Sequence, residues 1–551
     1  MLHRVYPDYF EHWAGEAPDA IWLRDRQGDV FTDWSWARAR TEIDAVAAWL
    51  EDRFGTGVAM AILSRNRAHW FLADFAIIAS GNVAVPIFTT IPAPSARYVL
   101  DFSSTRVLFL GEAQNWSAVR DALPEGIEIV CLPGVEIDEP HFRWEELLAE
   151  AAGSRPRHRC RPDDVLSLVF TSGTTGVPKG VMQTHASMIV PVDRFAAAFA
   201  IREHPRFLSY LPLSHIGERQ LVEGFSLLTR GTVTFNESLA TLLRDLPDVR
   251  PNFVFGPPRI WEQLQQTVIA KFGSQPALDR ALAEDAAAVR ARVDAILGLG
   301  DSDYCLTAAA PTPPALIEWF RRVGVQLLEG YGQTEAMGLV AGTRGDFRVG
   351  SIGKPLAGVE MKLSAEDELM IRAEGLSPGY YEMPDKTAEL YRDGWLHTGD
   401  KARVDDDGFV YLTGRVKDYF KTIQGKFVAP VPIESDFADN PHTAQVCLLG
   451  RGYSKTVMVC VLNESGQRSD RDEVERALRA KAGAINAQVE KHARIGALIL
   501  CHEAWTIENE VLTPTLKIRR ERVEARFGDR AEPLARVSAE QSTLLIEWTR
   551  G

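Results

Sequence analysis

Leu166-Ser167-Leu168-Val169-Phe170-Thr171-Ser172-Gly173-Thr174-Thr175-Gly176-Val177-Pro178-Lys179-Gly180 begins as a strand and ends as a loop built for an anion. The mainly apolar run up to Phe170, bounded by turn-forming residues, reads as a buried strand. Beyond it, Thr171, Ser172, Thr174 and Thr175 supply hydroxyls. Gly173, Gly176 and Gly180 let backbone N–H groups approach an anion closely, and Lys179 adds a point charge. In chemical terms this is a phosphate cradle. It is not a Walker A loop: Pro178 stands where that motif needs its second glycine, and Gly180 follows Lys179 where a Ser or Thr would bind Mg²⁺. Proline has no N–H to give, so the loop cannot wrap a phosphate as a P-loop does. No G-x-G-x-x-G is present in it either.

Working outward, strand-like and helix-like stretches alternate for the first four hundred residues. A helix capped at Ser35 carries Ile43, Val46, Ala47 and Leu50 on one face, an apolar run follows at Val58 to Leu63, and a helical stretch spans Arg67 to Ala79. Further strands are expected at Val83 to Phe88, Val107 to Leu110, Ile127 to Cys131, Thr232 to Phe235 and Phe253 to Phe255. This alternation implies an α/β architecture with mostly parallel sheets. After about residue 360 the runs Met361 to Leu363, Glu368 to Ile371 and Val410 to Leu412 lie among Gly and Asp turns and read as hairpins of a small β-rich subdomain. An α+β unit begins near Asp418. Its main helix, Asp472 to Val489, places Val474, Leu478, Ile485 and Val489 on one stripe.

The chain has 551 residues, 46% of them hydrophobic and 25% charged, which allows several globular domains and leaves no room for a disordered or collagen-like class. Its 61 Lys and Arg against 75 Asp and Glu give a net charge of −14, so nucleic acid is not expected as a partner, and any anionic ligand must meet a local site. The six cysteines are scattered without a Cys-x-x-Cys pair and read as free thiols. The start lacks a signal-peptide core and no apolar run reaches membrane-spanning length. A cytoplasmic protein without an integral membrane segment is expected, with peripheral membrane contact left open.

The cradle resembles the phosphate-binding signature of the adenylate-forming (AMP-binding) superfamily, and four further motifs follow in that superfamily's order. Glu329-Gly330-Tyr331-Gly332-Gln333-Thr334-Glu335 is similar to its aromatic-Gly-x-Thr-Glu motif. The resemblance implies Tyr331 and Gly332 against adenine, Thr334 on an α-phosphate oxygen, and Glu335 as a hard carboxylate for Mg²⁺. Upstream, Ala308-Ala309-Ala310-Pro311 occupies the place of the adenine pocket, with Ala where glycines are usual. Asp393-Gly394-Trp395-Leu396-His397-Thr398-Gly399-Asp400 resembles the Trp-x-x-Thr-Gly-Asp segment, which implies that Asp400, held by a tight Thr-Gly turn, accepts from the ribose hydroxyls. Gly414-Arg415 looks like the Gly-Arg pair that reaches the nucleotide, and Asp418 falls on the interdomain hinge. Leu512-Thr513-Pro514-Thr515-Leu516-Lys517 matches the last signature, making Lys517 the catalytic lysine alongside Thr334 and Glu335.

The fold so implied is a large body of two α/β subdomains and a small β-rich subdomain over residues 1–417, followed by a mobile α+β lid over 418–551. Leu211-Pro212-Leu213-Ser214-His215-Ile216-Gly217-Glu218-Arg219 is similar to the long-chain and very-long-chain fatty acyl-CoA synthetase branch, placing His215 and Gly330 at the acyl and thiol entrance. Phe225, Leu227 and Leu228 follow and are candidates to line an acyl tunnel. The expected reaction joins a small-molecule carboxylic acid, a medium- to long-chain fatty acid, to coenzyme A through an acyl adenylate, with ATP and Mg²⁺. An aryl or other acid, transfer to a carrier protein or an amine, and a nucleotide-binding regulator without turnover are the alternatives. In Lys421-Thr422-Ile423-Gln424-Gly425-Lys426 long-chain relatives carry Ser-Gly where this chain has Ile423-Gln424, in the loop expected to meet the pantetheine arm.

Overall fold

The computed structural model describes residues 3–112, 116–171, 178–336, 341–342, 346–506, 509–513 and 517–549. A seven-stranded sheet runs in the order Phe142–Arg143, Glu128–Cys131, Val107–Leu110, Ala59–Leu63, Val83–Ile87, Val165–Thr171, Lys179–Thr184, every pair parallel except the last. Strands with two covered faces must be apolar throughout, and Ala59–Leu63 is buried at every position. Its side chains alternate: Met60 and Ile62 enter the core containing the helix Ala68–Ala79, whereas Ala59, Ala61 and Leu63 pack with Ala96, Val99 and Leu100 of the helix Ala93–Phe102. Ala68–Ala79 is buried on all sides, which explains why its sequence is apolar all round.

A three-stranded parallel sheet, Phe253–Gly256, Tyr304–Thr307 and Leu327–Glu329, is covered by the helices Pro258–Phe272 and Pro314–Arg322. The antiparallel sheet of Val359–Leu363, Glu368–Ala373, Tyr391–Arg392, Trp395–Val404 and Val410–Arg415 is the expected β-rich unit. The alternation reading did not contain the N-terminal hairpin Ile21–Gln27 and Val30–Ser35, which joins Thr232–Phe235 and Arg206–Ser209 in a further sheet. Its pairing partners lie some two hundred residues away, and local pattern carries no record of such contacts.

The C-terminal domain is α+β. Thr443–Leu449, Thr456–Leu462, Ile495–Cys501 and Leu545–Thr549 form one sheet with Arg471–Gln488 on one face and Arg520–Gln541 on the other. Val474, Leu478 and Ile485 point into the first of these two cores, as their spacing predicts. All six cysteines are free, five of them buried and Cys160 partly so. Among the described residues no helix is long and apolar enough to cross a membrane.

Inside the body lies a fully buried ionic group. Arg219 opens a π-helical turn, Arg219–Gly224, and its guanidinium binds Asp74, Glu223 at 3.0 Å and the Ser167 hydroxyl at 2.6 Å. Phe225 and Leu227, candidates for an acyl tunnel, are core residues here; the Phe225 ring packs at 5.3 Å from Phe195 and 5.5 Å from Phe253.

Candidate active site

Strand ends converge on the site. Thr171 closes the strand Val165–Thr171 and pairs with Lys179 at the start of the antiparallel strand Lys179–Thr184, so the loop between them leaves and re-enters the sheet at adjacent positions. Ser172, Gly173, Thr174, Thr175 and Gly176 lie outside the described residues. Lys179 holds its ammonium 4.6 Å above the Tyr380 ring, and burial lowers its pKa while Glu335 opposes that shift. The Tyr380 hydroxyl donates to Glu335 Oε1 at 2.7 Å. Glu335 lies in the short turn Thr334–Ala336, whose Thr334 carbonyl accepts from the buried Gln183 amide at 3.0 Å. Gln183 and Tyr380 thus tie the loop's returning strand to the Tyr-Gly-x-Thr-Glu segment. Nothing in local spacing marks either residue.

The second half of the site is built around Asp400. Its Oδ2 accepts from the Tyr331 hydroxyl at 2.7 Å and its Oδ1 meets Arg415 Nε at 3.0 Å. Asp400 and Arg415 are cross-strand partners between Trp395–Val404 and Val410–Arg415, so the ion pair follows from register. Asp400 holds the Arg415 guanidinium above its ordinary pKa, and burial followed by Asp400 pushes the Tyr331 phenol well up. The expected tight Thr-Gly turn presents this carboxylate, and it lies inside a strand. Thr398, Gly399 and Asp400 belong to one ten-residue strand, and Gly399 bends it at φ +71° while the Thr398 hydroxyl accepts from the Asp400 N–H at 3.0 Å.

Gly330 follows the strand Leu327–Glu329 and donates its N–H to the Thr307 carbonyl at 2.9 Å, which sets Gly332 and Tyr331 beyond the strand end. Glu329, just before it, received no role from sequence. One oxygen accepts from Thr312 N at 3.4 Å, the other is buried with no hydrogen-bond partner among the described residues, and burial raises its pKa to about 7. Between Thr307 and Thr312, Ala309 sits at φ +71°. A left-handed Ala costs about 1–2 kcal/mol, whereas Gly there would add about 0.5–1 kcal/mol of chain entropy. Ala309→Gly is therefore expected to stabilise the protein slightly, by up to about 1.5 kcal/mol. Chemical unfolding of the two proteins checks this, and a clear loss of stability in the variant would show that the Ala methyl earns its place by packing.

The C-terminal domain brings Lys517 to this cleft. The Thr513 N–H donates to the Lys517 carbonyl at 2.8 Å and Lys517 N donates to the Thr513 hydroxyl at 3.0 Å. Though reached by solvent, the ammonium stands in a crowded space where burial and then Arg415 lower its pKa to about 8, against Asp400 and Glu335. His215 lies on the same cleft. Its Nδ1 accepts from Gly217 N at 3.1 Å, which leaves the proton of the neutral ring on Nε2, and burial together with Lys517 lowers its pKa to about 4. Asp418 closes a turn onto the Arg415 carbonyl at 3.0 Å. Burial raises its pKa, and Arg520 and Arg415 oppose that. Lys179, Glu335, Tyr331, Asp400, Arg415, His215 and Lys517, scattered over more than three hundred residues, are thereby gathered at one place.

The model of the AMP-binding enzyme family matches residues 10–381, and that of the AMP-binding enzyme C-terminal domain matches residues 417–534. The chain belongs to the AMP-binding enzymes. This AMP-binding enzyme is 28% identical over 588 residues to the long-chain-fatty-acid–CoA ligase FadD15 of Mycobacterium bovis, an alignment covering 95% of this chain and 96% of that one. It is 31% identical over 549 residues to the carboxylic acid reductase of Mycobacterium tuberculosis, covering 91% of this chain and 46% of the reductase. Its fold is that of the anthranilate CoA ligase AuaEII solved with anthranoyl-AMP, at a TM-score of 0.79 and 21% identity over 98% of this chain and 99% of that one.

A bound Mg²⁺ fits the donor set. Among the described residues no cluster of three or more His, Cys, Asp or Glu could hold a metal alone. Glu335 offers one carboxylate, which suits an ion that keeps waters and is shared with substrate phosphates.

Proposed function

We propose that this AMP-binding enzyme activates a hydrophobic carboxylic acid, a medium- to long-chain fatty acid, as its acyl adenylate and passes the acyl group to coenzyme A. The observation that carries the reading is the cleft in which Asp400 is bound by Tyr331 at 2.7 Å and Arg415 at 3.0 Å, with Lys517 within its electrostatic field. In the first half-reaction a carboxylate oxygen attacks the α-phosphorus of ATP and the bond to the pyrophosphate oxygen breaks. Lys517 and Lys179 offset the charge of the two anions brought together, and Thr334 donates to the α-phosphate. Tyr331 and Gly332 flank the adenine, while Asp400 and Arg415 hold the ribose. Glu335 would hold Mg²⁺, which would supply charge neutralisation. In the second half the thiol sulfur attacks the acyl carbonyl carbon and AMP leaves.

Residues 1–417 form the body that binds ATP and the acid, and residues 418–551 form a lid turning about Asp418. His215 and Gly330 border the acyl and thiol entrance. The likeness to a long-chain ligase over nearly the whole of both chains supports a fatty acid and CoA. The reductase likeness supports a carrier-bound thiol as the second reading of the acceptor. Free thiols throughout and the use of ATP support a cytoplasmic setting.

The test offers ATP, Mg²⁺ and acids from acetate to palmitate together with aryl acids, with and without CoA, and measures pyrophosphate and thioester. Pyrophosphate and acyl-CoA from the longer acids are expected. Pyrophosphate without thioester would transfer the acceptor role to a carrier, and silence with every acid would sink the ligase reading.

A further inference from the structure

Lys517 stands just before the helix Arg520–Gln541, and the first residue of that helix is tied to a distant part of the same domain. Arg520 Nη1 donates to Glu434 Oε1 at 2.7 Å and Nη2 donates to Glu434 Oε2 at 2.9 Å, a forked pair. Nη1 also reaches the Leu448 carbonyl at 2.7 Å, and Glu434 Oε1 accepts from the Leu448 N–H at 2.6 Å. Leu448 lies in Thr443–Leu449, the edge strand of the domain's sheet, so its open backbone groups take up these two side chains where another strand would otherwise bond. Both side chains are mostly covered, Arg520 at 17% exposure and Glu434 at 15%.

Glu434 belongs to the helix Pro430–Ala438, and that helix meets the body. Val431, a helical turn before Glu434, packs on Gly414 of the strand Val410–Arg415: a Cβ built on the glycine would stand 3.6 Å from Val431 Cγ2. The next residue, Arg415, binds Asp400 at 3.0 Å. Asp418, between the strand and the helix in sequence, lies in the fields of both Arg520 and Arg415. A continuous run of contacts thus leads from the Asp400–Arg415 pair through Gly414, Val431, Glu434 and Arg520 to the backbone beside Lys517. An exposed ion pair would place nothing and would contribute little. This one is covered and forked, and it leaves Arg520 Nε buried with no hydrogen-bond partner among the described residues, a penalty that a pair serving stability alone has no reason to carry.

We propose that Arg520 is the positioning residue for Lys517: by holding the start of its helix to Glu434 and Leu448, it sets the lysine in register with the helix that docks on Gly414 and Arg415. The inference deepens the ligase reading and rests on it for the part Lys517 plays in adenylation. Arg520 itself touches no reacting atom. Its effect is one of placement, and a shift of about 1 Å in a catalytic group can cost about 10²-fold in rate.

The experiment labels the full chain with trace acetic anhydride across the range in which lysines titrate and follows acetylation of Lys517 by mass spectrometry. In the parent, Lys517 faces the cation Arg415 and the His215 ring against the carboxylates Asp400 and Glu335, and its midpoint is expected at about 8. In Arg520→Lys a single ammonium cannot span both Glu434 oxygens and the Leu448 carbonyl, so the midpoint should rise toward the ordinary lysine value of about 10.4. Arg520→Met with Glu434→Leu removes both charges, strands no acid and should give the same shift. Pyrophosphate formation should fall by about 10–10²-fold in both variants with KM for ATP nearly unchanged, while thioester formation from supplied acyl adenylate changes by less than about threefold. Unchanged thermal unfolding shows that the fold is kept. Folded variants with the parent's midpoint or adenylation rate, or with equal losses in the two half-reactions, would overturn the proposal. Silence of the parent with every acid would instead sink the ligase reading, and the Lys517 midpoint then decides the positioning by itself.

Discussion

Lys517→Ala is expected to slow acyl adenylate formation by about 10²–10³-fold while leaving thioester formation from a supplied acyl adenylate nearly unchanged. The asymmetry follows from where charge develops. In the first half-reaction two anions meet at the α-phosphorus, and a cation brought by the C-terminal domain stabilises a transition state that the ground state does not need. In the second half a neutral carbonyl accepts the thiol sulfur, and no such pair of anions is forced together. Pyrophosphate release measures the first step, and acyl-CoA formed from synthetic adenylate measures the second. Equal losses in the two would show that Lys517 acts on the fold or on shared nucleotide binding.

The same residue sets a pH dependence. With its pKa lowered to about 8, Lys517 is charged below that value and loses its charge as pH rises through it. Adenylation should therefore decline above about pH 8, well before an ordinary lysine would titrate. Lys517→Arg keeps its charge throughout this range, so whatever activity it retains should lack the alkaline decline. A decline of the same shape in the Arg variant would assign it to another group.

Much of this site was legible before the fold was known because its chemistry is concentrated in short strings. Thr171 to Gly180, Tyr331 to Glu335 and Asp393 to Asp400 each combine glycines, hydroxyls and one charged residue in a pattern that plain packing does not require. The helices Trp36–Phe54 and Arg471–Gln488 were legible for a different reason, since each buries one stripe and shows it as a period. What stayed hidden was pairwise and distant. Tyr380 reaches Glu335, and Gln183 reaches Thr334, across separations that leave no periodic trace. Glu329 was written inside a recognised motif, yet its desolvated oxygen is a property of the pocket around it. The turn at Thr398 to Asp400 is legible from its Thr-Gly-Asp composition, whereas its place inside the strand Trp395–Val404 and the pairing of Asp400 with Arg415 are not.

Arg219→Met is expected to cost about 3–5 kcal/mol, the largest loss of stability from any single substitution considered. Arg219, Asp74 and Glu223 are all fully buried, so two carboxylates share one guanidinium in the core. Removing the cation leaves both acids facing a space that cannot solvate them. Replacing an acid is different. Burial and the neighbouring Asp74 push the Glu223 carboxyl well above its ordinary pKa, which favours its neutral form over that of an ordinary glutamate, and Gln keeps that form's shape and its acceptor oxygen. Glu223→Gln should therefore lie within about 1 kcal/mol of the parent. The sign of the pH dependence separates the two effects. An acid whose folded pKa is raised contributes fully below its unfolded value and loses that contribution as pH climbs toward its folded value, because only the unfolded chain releases the proton. Chemical unfolding of the parent from pH 5 to pH 8 should show that decline, and Glu223→Gln should flatten it. Equal slopes in both proteins would place the retained proton on Asp74, and an Arg219→Met protein as stable as its parent would show that the core tolerates both acids in neutral form.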